Sequence, residues 1–364
     1  MRVLKVTPND NSFFGTGKRF KKGESTWIET KLIPYPSVFY GSICSLMLQL
    51  NKTRADRYIG KGTSEDDPRE FLKIGNIYLY DKENKDIYIK APLDLYLDEE
   101  NNNQCHYGEF RELGREVNVS NKDMKYFIFK KKSSLKRVDD LYITRSSFYN
   151  SYYYKKPYID FYNPSKFFSL DYKVGIQTDK GKAKDEHLYR IDLMQFNDYK
   201  FNYLIEYEID NKWWEGSKVK NIDKGYLKLG GENKSCKYVD VTEDNILKKY
   251  EKIYSIKNNS DLVKLYFSSP GIYREDGYIP SFKEDKIKVV GISNSKPYHI
   301  GGYDMRTGHK PMYKAITDGS VYLLECSEFI DESIKNIKKM IDKYINMGLQ
   351  EDGLNKFEVI PCQK

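Results

Sequence analysis

Residues 12–22 combine glycine with basic side chains just before a predicted helix, an arrangement suited to binding phosphate. The stretch contains Gly15 and four cations, which are Lys18, Arg19, Lys21 and Lys22. Pro36 cannot occupy a helix interior, so the pattern predicts a helix over 37–50 with Ser37 as its N-cap. Unpaired N–H groups at a helix N-terminus and nearby cations attract anions. These residue types therefore favour a binding site for a phosphate chain.

The predicted helix has two distinct faces. Its apolar stripe repeats at helical spacing and comprises Phe39, Ile43, Leu46, Met47 and Leu50. Its other face carries Ser37, Gly41 and Ser45, which are small enough to let another backbone come close. An ordinary amphipathic helix with Gly41 at a helix–helix contact explains the same residues equally well, and both interpretations stay open at this point.

Candidate catalytic patterns in the sequence are incomplete. The loop 15–18 lacks the full phosphate-binding pattern of nucleotide hydrolases, because Ser12 replaces its first glycine and Arg19 its Ser or Thr. The four histidines are isolated, although His299 and His309 flank a glycine loop where acid–base chemistry is conceivable. The glycine turns lack the paired carboxylates of polymerases and cyclases. We expect no enzyme activity, no metal and no cofactor.

Composition indicates about two domains for 364 residues, with a net charge of +8 and 33 tyrosines. Tyrosine interleaved with lysine suits both nucleic-acid binding and an ordinary solvated sheet. The five scattered cysteines form no CxxC pair, which favours reduced intracellular thiols. No apolar run approaches membrane-spanning length. We therefore expect a cytoplasmic protein without a membrane partner.

The first predicted domain covers residues 1–242. It begins with a strand at 2–7 and the helix at 37–50, followed by an irregular insertion at 52–165. A protruding hairpin at 170–209 has a lysine-rich tip at 178–186.

The second predicted domain covers residues 243–364 and contains strands near 262–267, 287–292 and 320–326. A helix capped by Asp331 and ended by Gly348 precedes a last strand at 356–360. Both domains follow the pattern βαββαβ, so the predicted fold class is α+β, a tandem of ferredoxin-like (RRM-like) domains.

Five segments in order make the chain resemble a known family. They are Phe14–Phe20 with Pro34–Leu48, Val174–Arg190, Leu229–Glu232, Ser269–Pro280, and Gly301 through Lys310-Pro311 to Tyr322. Each segment is weak alone, but the ordered set resembles the third subunit of the type III-B CRISPR effector (Cmr) complex, a repeat-associated mysterious protein (RAMP). The insertion at 52–165 carries no matching motif.

The resemblance implies a non-catalytic RNA-binding subunit in antiviral defence. Such a subunit holds the 5′ repeat-derived tag of the guide RNA near the target RNA, and it docks the large signalling subunit and the first backbone subunit. The hairpin would act as a thumb beside the first guide–target bases. The implied RNA-binding residues are Gly15, Lys18, Arg19, Ser37, Tyr40, Gly41, Lys180, Lys182, Gly230, Gly231, Gly301, Gly302, His309 and Lys310.

Two alternatives remain. An RNA-processing endoribonuclease of the same fold could use His299 or His309. A carbohydrate- or protein-binding surface built from the tyrosines would show no salt-dependent RNA binding.

Overall fold

The structure is a computed structural model. It describes residues 1–16, 26–61, 64–100, 104–114, 123–179, 182–232, 234–248, 255–273, 279–280, 282–304, 308–345 and 353–362.

The described residues contain four α-helices and twenty-one strands, besides several short 3-10 turns and one π turn. The helices are α1 Pro36–Leu50, α2 Lys52–Lys61, α3 Arg145–Ser147 and α4 Ile334–Tyr344. The strands are β1 Arg2–Pro8, β2 Thr26–Ile28, β3 Leu72–Asp81, β4 Asp86–Lys90, β5 Leu95–Asp98, β6 Gln104–Tyr107, β7 Glu109–Glu112, β8 Tyr126–Phe129, β9 Lys136–Arg137, β10 Tyr142–Thr144, β11 Phe168–Asp179, β12 Lys182–Phe196, β13 Phe201–Ile209, β14 Lys224–Lys228, β15 Ser235–Asp240, β16 Leu262–Phe267, β17 Lys288–Ser293, β18 Tyr298–Asp304, β19 Gly308–Ala315, β20 Val321–Glu325 and β21 Phe357–Pro361. This mixture confirms the predicted α+β class.

Two large sheets dominate the fold, and their central strands follow one order. The first sheet has seven strands in the order β10-β4-β3-β13-β1-β15-β14, and the second has six in the order β21-β16-β20-β17-β8-β7. In the first sheet, β3-β13-β1-β15 pair antiparallel. In the second, β17-β20-β16-β21 also pair antiparallel. If the four strands of each set are numbered 1 to 4 by their order along the chain, both sets have the spatial order 2-3-1-4 in the sheet.

The two sheets face each other across a shared core, with one long helix on each outer side. Phe39, Ile43 and Met47 of α1 pack against the outer face of the first sheet. In the core between the two sheets, Tyr78 and Leu204 of the first sheet pack in one cluster with Tyr266 of the second. Helix α4 covers the outer face of the second sheet through its isoleucines. The apolar stripe predicted for the first helix is thus the surface that α1 buries.

Both predicted helix caps are wrong by two residues. Helix α1 begins at Pro36, and Tyr35 is its N-cap without a side-chain cap hydrogen bond. Proline suits the first helical position, where its fixed φ fits and its missing N–H is not needed. Ser37 therefore lies inside the first turn. Helix α4 is capped by Ser333, which accepts from Asn336 N–H, because Asp331 stands before the helix with φ +62°.

The prediction of an irregular insertion at 52–165 is also wrong. The segment holds α2, and β3 pairs directly with β13 in the first sheet. Strand β8 pairs with β17 and joins β7 to the second sheet. Strands β3 and β8 of this segment are placed by pairing with β13 and β17, which lie far from them along the chain. The domain division at 242 stays a prediction, and the second sheet takes two strands from before it.

The predicted hairpin is present, with its strands divided differently. Strands β11 and β12 pair from Phe168↔Phe196 to Asp179↔Lys182. The predicted range 170–209 also includes β13, which follows a turn after β12 and pairs in the first sheet instead of the hairpin. Strand β2 adds to the hairpin parallel to β12, which makes a three-stranded sheet.

Candidate nucleic-acid interface

The glycine turn at 229–232 packs against the loop that carries Gly15. The amide of Gly231 donates to the carbonyl of Phe13 over 3.0 Å. Gly230 has φ +76°, and a Cβ there would meet the same carbonyl oxygen at 2.4 Å. Glycine is required at this position for both its conformation and its close approach. The predicted turn is therefore a real turn, and it supports residues 13–15.

The same loop is tied to the segment that leads into α1. The amide of Phe14 donates to Thr30 Oγ1 over 2.9 Å, and the amide of Lys31 donates to the carbonyl of Phe14 over 2.8 Å. Gly15 forms an isolated bridge with Thr30 and is itself exposed. Phe14 is 2% exposed and anchors this loop in the core beneath α1.

Tyr35 connects the start of α1 to the hairpin of β18 and β19. Its ring meets that of Tyr298 edge-on with centroids 6.1 Å apart, and its hydroxyl donates to the carbonyl of His299 over 3.5 Å. Lys31 Nζ lies 3.6 Å from the ring centre of Tyr35 and 4.3 Å from that of Tyr298. Burial lowers the pKa of Lys31 to about 8. The pKa of Tyr298 is raised above its usual value, mainly by the negative charge of the nearby Asp318 carboxylate and secondly by burial.

The small-residue face of α1 is open to solvent near the helix N-terminus. Gly41 is exposed, and a Cβ there would have no atom within 4 Å. Ser37 is half-buried, and Ser45 is exposed with its hydroxyl donating to the carbonyl of Gly41. Tyr40 is 7% exposed and donates to the carbonyl of Arg69 over 3.1 Å. Tyr40 thus belongs to the core side, and stacking on a base would require it to leave that position.

Gly301 and Gly302 lie in strand β18, so the glycine loop predicted over 299–311 is mostly a hairpin. The pairing of β18 with β19 shifts register between Ile300 and Gly302, and Gly302 faces Lys310. A Cβ at Gly301 would meet Met312 Sδ at 2.4 Å. Lys310 is exposed, so its ammonium group is available to a phosphate.

Part of the predicted set lies outside the described residues, namely Lys18, Arg19 and Lys180. Lys182 and His309 are placed by their backbones in β12 and β19, but their side chains lie outside what the structure describes. The remaining positions fall on contiguous segments, since contacts run from the 229–232 turn through residues 13–15 and 30–35 to β18.

Sequence reasoning missed two groups of residues. Lys31, Tyr35 and Tyr298 join the candidate segments, and no local pattern pairs residues so distant along the chain. The other group is an exposed edge strand, β14, where Lys224, Tyr226 and Lys228 alternate. The sequence Lys-Gly-Tyr-Leu-Lys was a visible signal, because alternating residues share one face of a strand.

Signatures of a metal site and of a membrane-spanning helix are absent from the described residues. There, no cluster of three or more His, Cys, Asp or Glu side chains is placed to hold a metal ion. None of the helices there is long and apolar enough to cross a membrane.

Comparison with known proteins places the chain in a family. It is similar to a chain in the cryo-EM structure of the type III-B Cmr-beta bound to cognate target RNA and AMPPnP, state 1. That match has 16% identity and a TM-score of 0.51, and it covers 98% of this chain and 96% of the other. A chain of the type III-B Cmr-beta bound to cognate target RNA gives 18% identity and a TM-score of 0.50, with the same coverages.

At such identities the two structures support the fold alone. No curated protein matches the sequence. The sequence profile described as CRISPR-associated protein (Cas_Cmr3) matches residues 4–356, which is nearly the whole chain. This match confirms the resemblance indicated by the ordered motifs. The chain therefore belongs to the CRISPR-associated Cas_Cmr3 family.

Proposed function

We propose that this protein is the non-catalytic subunit of a type III-B Cmr complex that holds the 5′ repeat-derived tag of the guide RNA. It would act in the cytoplasm in antiviral defence. It would also dock the large signalling subunit and the first backbone subunit, and lie close to target RNA. Family membership supports the complex, and the contacts around α1 support the RNA path.

The observation that carries the proposal is the continuity of the candidate segments. The turn at 229–232, the loop with Gly15, the start of α1 and the hairpin of β18 and β19 are linked by direct contacts. A single-stranded tag is held by its phosphates and splayed bases, which calls for cations, close-approach glycines and exposed backbone. These segments offer all three.

Each candidate residue has a specific role in this proposal. Gly41 keeps the α1 face clear for the RNA backbone, and Ser37 offers a hydroxyl in the first helical turn. Lys18, Arg19 and Lys310 would pair with phosphates. The shared 2-3-1-4 strand order supports a tandem of ferredoxin-like domains, with α1 in the first and α4 in the second.

The test is tag-RNA binding by the assembled complex over a range of salt concentrations. Changing Lys18, Arg19 and Lys310 to alanine should weaken binding and flatten the log–log salt dependence by roughly 0.7 per lost phosphate contact. Lys339→Ala is the control, because Lys339 is exposed like Lys310 but lies on α4. Unchanged affinity and slope in the triple variant would reject these residues as the phosphate contacts.

A cleavage assay tests the non-catalytic part of the proposal. Purified protein incubated with repeat RNA in a chelator should leave the RNA intact. Metal-independent cutting that His309→Ala abolishes would instead support the endoribonuclease alternative.

A further inference from the structure

A basic sheet surface continues from the glycine turn at 229–232, which is one end of the candidate RNA path. This turn joins β14 to β15, and the two strands pair antiparallel. The amide of Leu229 donates to the carbonyl of Lys234 over 3.1 Å and closes the turn, while Gly231 contacts Phe13. An RNA strand that passes the turn can therefore reach the surface of β14 and β15 directly.

Side chains of β1, β14 and β15 alternate between the two faces of the first sheet. Leu4, Leu227 and Cys236 belong to the core beneath α1. The opposite face, which we call the basic face, carries Lys5, Lys224, Tyr226, Lys228 and Lys237. Tyr226 is 64% exposed, the lysines of β14 and β15 are exposed, and the lysine of β1 is half-buried. The basic face therefore offers one ring and four cations to a partner.

The strand register places lysines on three sides of the exposed ring. Tyr226 pairs with Lys237 across the two strands, and directly opposed residues have Cβ atoms about 5 Å apart. Lys224 and Lys228 share the face two residues before and after Tyr226, which is about 7 Å along the strand. Single-stranded nucleic-acid sites combine cations for the phosphates with an aromatic ring on which a base stacks. The basic face has this combination.

Protection of the sheet edge explains only part of the basic face. Strand β14 is the last strand of the first sheet, and lysines on edge strands hinder pairing with other chains. Lys237 lies on β15 and Lys5 on β1, however, and both of these strands are paired on two sides. An interior strand has no open edge to protect, so these two lysines indicate a further role.

The charge of the basic face favours an anionic partner. In β1, β14 and β15, all of whose residues are described, no Asp or Glu shares this face. Asp240 at the end of β15 has the alternation of the opposite face and forms an ion pair with Arg2 at 3.0 Å. Four lysines without a carboxylate among them attract a chain of phosphates. The exposed ring of Tyr226 favours a nucleic acid over an acidic protein surface, because it can stack on a base.

We propose that the basic face binds single-stranded guide RNA next to the tag, where the strand leaves the turn at 229–232. Lys224, Lys228 and Lys237 contact phosphates, and Tyr226 stacks on a base. The contact reads no sequence, because every base has a face for stacking and phosphates are common to all nucleotides. The proposal rests on the proposed function for the identity of the strand, but it adds a site outside the tag path.

Cross-linking from the position of the ring identifies the partner. In this test p-azidophenylalanine replaces Tyr226 in the full chain, and the reconstituted complex carries labelled guide RNA with or without target RNA. Position 158 is the control, because Tyr158 is 77% exposed and lies outside the candidate interface. A cross-link to guide RNA from position 226, but not from 158, is expected without target RNA. Cross-links to target RNA alone, to another protein subunit alone, or to neither would overturn the proposal.

Salt-dependent affinity tests the phosphate contacts. The basic-face variant replaces three lysines with alanine, namely Lys224, Lys228 and Lys237. Its log–log salt dependence for full guide RNA should be flatter by roughly 2, since each lost contact removes roughly 0.7. The matched control loses the same charge from three exposed lysines of α4, namely Lys335, Lys339 and Lys343. Thermal midpoints should stay at the wild-type value, and a wild-type salt slope in the basic-face variant would overturn the proposal.

Replacing the ring tests the stacking contact. Tyr226→Ala should weaken binding of full guide RNA about fivefold or more, because stacking on a ring contributes at least about this factor. Tyr226→Phe should stay within about twofold of wild type, since stacking needs the ring and not the hydroxyl. Wild-type affinity in Tyr226→Ala would overturn this contact.

An oligonucleotide of the tag alone separates this proposal from the proposed function. The wild type and the basic-face variant should bind it equally, because the basic face lies outside the tag path. Equal losses for the tag and for full guide RNA would overturn the separate site. Failure of the wild-type complex to bind the tag oligonucleotide would contradict the proposed function instead, and the salt slope with full guide RNA would still decide for or against the basic face.

Discussion

Tyr35, the N-cap of α1, meets Tyr298, the first residue of β18, edge-on with ring centroids 6.1 Å apart. Lys31 Nζ lies close to both rings. This contact joins the N-terminal end of α1 to the hairpin that carries Gly301, Gly302 and Lys310. The two halves of the proposed tag site therefore depend on each other's position.

Replacing Tyr298 should loosen both halves of the site. Tyr298→Ala removes a half-buried ring and its aromatic contact, and we expect a loss of about 2 kcal/mol in the free energy of unfolding. Tag-RNA affinity should fall as well. Tyr298→Phe keeps the ring and should retain most of both. Urea unfolding and RNA titration measure the two effects, and an Ala variant as stable as the Phe variant would contradict the role of the ring.

Lys31 should make stability depend on pH in the alkaline range. Its pKa in the folded protein is about 8, against an ordinary value of 10.5. Between these values the unfolded chain binds more protons, so the unfolding free energy of the wild type should rise with pH relative to Lys31→Met. Urea midpoints of both proteins at pH 7.5 and about 9.5 give the difference. A difference that falls or stays constant with pH would be contrary to the burial of this ammonium group.

Gly230 and Gly216 offer a matched pair for the glycine turn. Both have positive φ, at +76° and +74°, but a Cβ at Gly216 would meet nothing within 4 Å. Gly216→Ala should therefore cost about 1 kcal/mol from conformation alone. Gly230→Ala should cost at least about 1 kcal/mol more, because it must displace Phe13. Equal unfolding free energies for the two variants would mean that residue 13 does not press on the turn.

A buried ion pair between Asp94, which follows β4, and Lys264 of β16 should stabilise the contact between this segment and the second sheet. Lys264 Nζ lies 2.5 Å from Asp94 Oδ2, and the Asp94 side chain is fully buried. Lys264→Met leaves that carboxylate without its cation, so we expect a loss of about 3–5 kcal/mol in unfolding free energy. The double variant with Asp94→Asn should lose less. Chemical denaturation of the three proteins checks this, and a single variant within about 1 kcal/mol of wild type would refute it.

Local patterns predicted the elements that depend on near neighbours in sequence. The stripe from Phe39 to Met47 located α1, and the hairpin pattern with its lysine-rich tip located β11 and β12. The predicted start of α1 was wrong, because a single residue decides this boundary. Pro36 occupies the first helical position, so Ser37 is not the N-cap.

Sequence patterns could not predict contacts between residues that are far apart along the chain. The pairing of β8 with β17, the stacking of Arg190 on Trp27 and the meeting of Tyr35 with Tyr298 each join segments far apart in the chain. The ordered motifs indicated the family despite this, because they depend on local residue types. They could not say that Tyr40 is buried or that Gly301 lies in a strand, since both follow from packing.

The most direct test of the central claim, that the small-residue face of α1 receives the RNA tag, uses Gly41 and Gly60. Both glycines are exposed in helices, and a Cβ at either would meet nothing within 4 Å. Leucine at either position should leave the fold intact and favour the helix by up to about 1 kcal/mol. The measurement is the affinity of the assembled complex for 5′-tagged guide RNA. Gly41→Leu should lower that affinity about tenfold or more by blocking close approach, while Gly60→Leu should stay within about twofold of wild type. Wild-type affinity in Gly41→Leu would contradict the account.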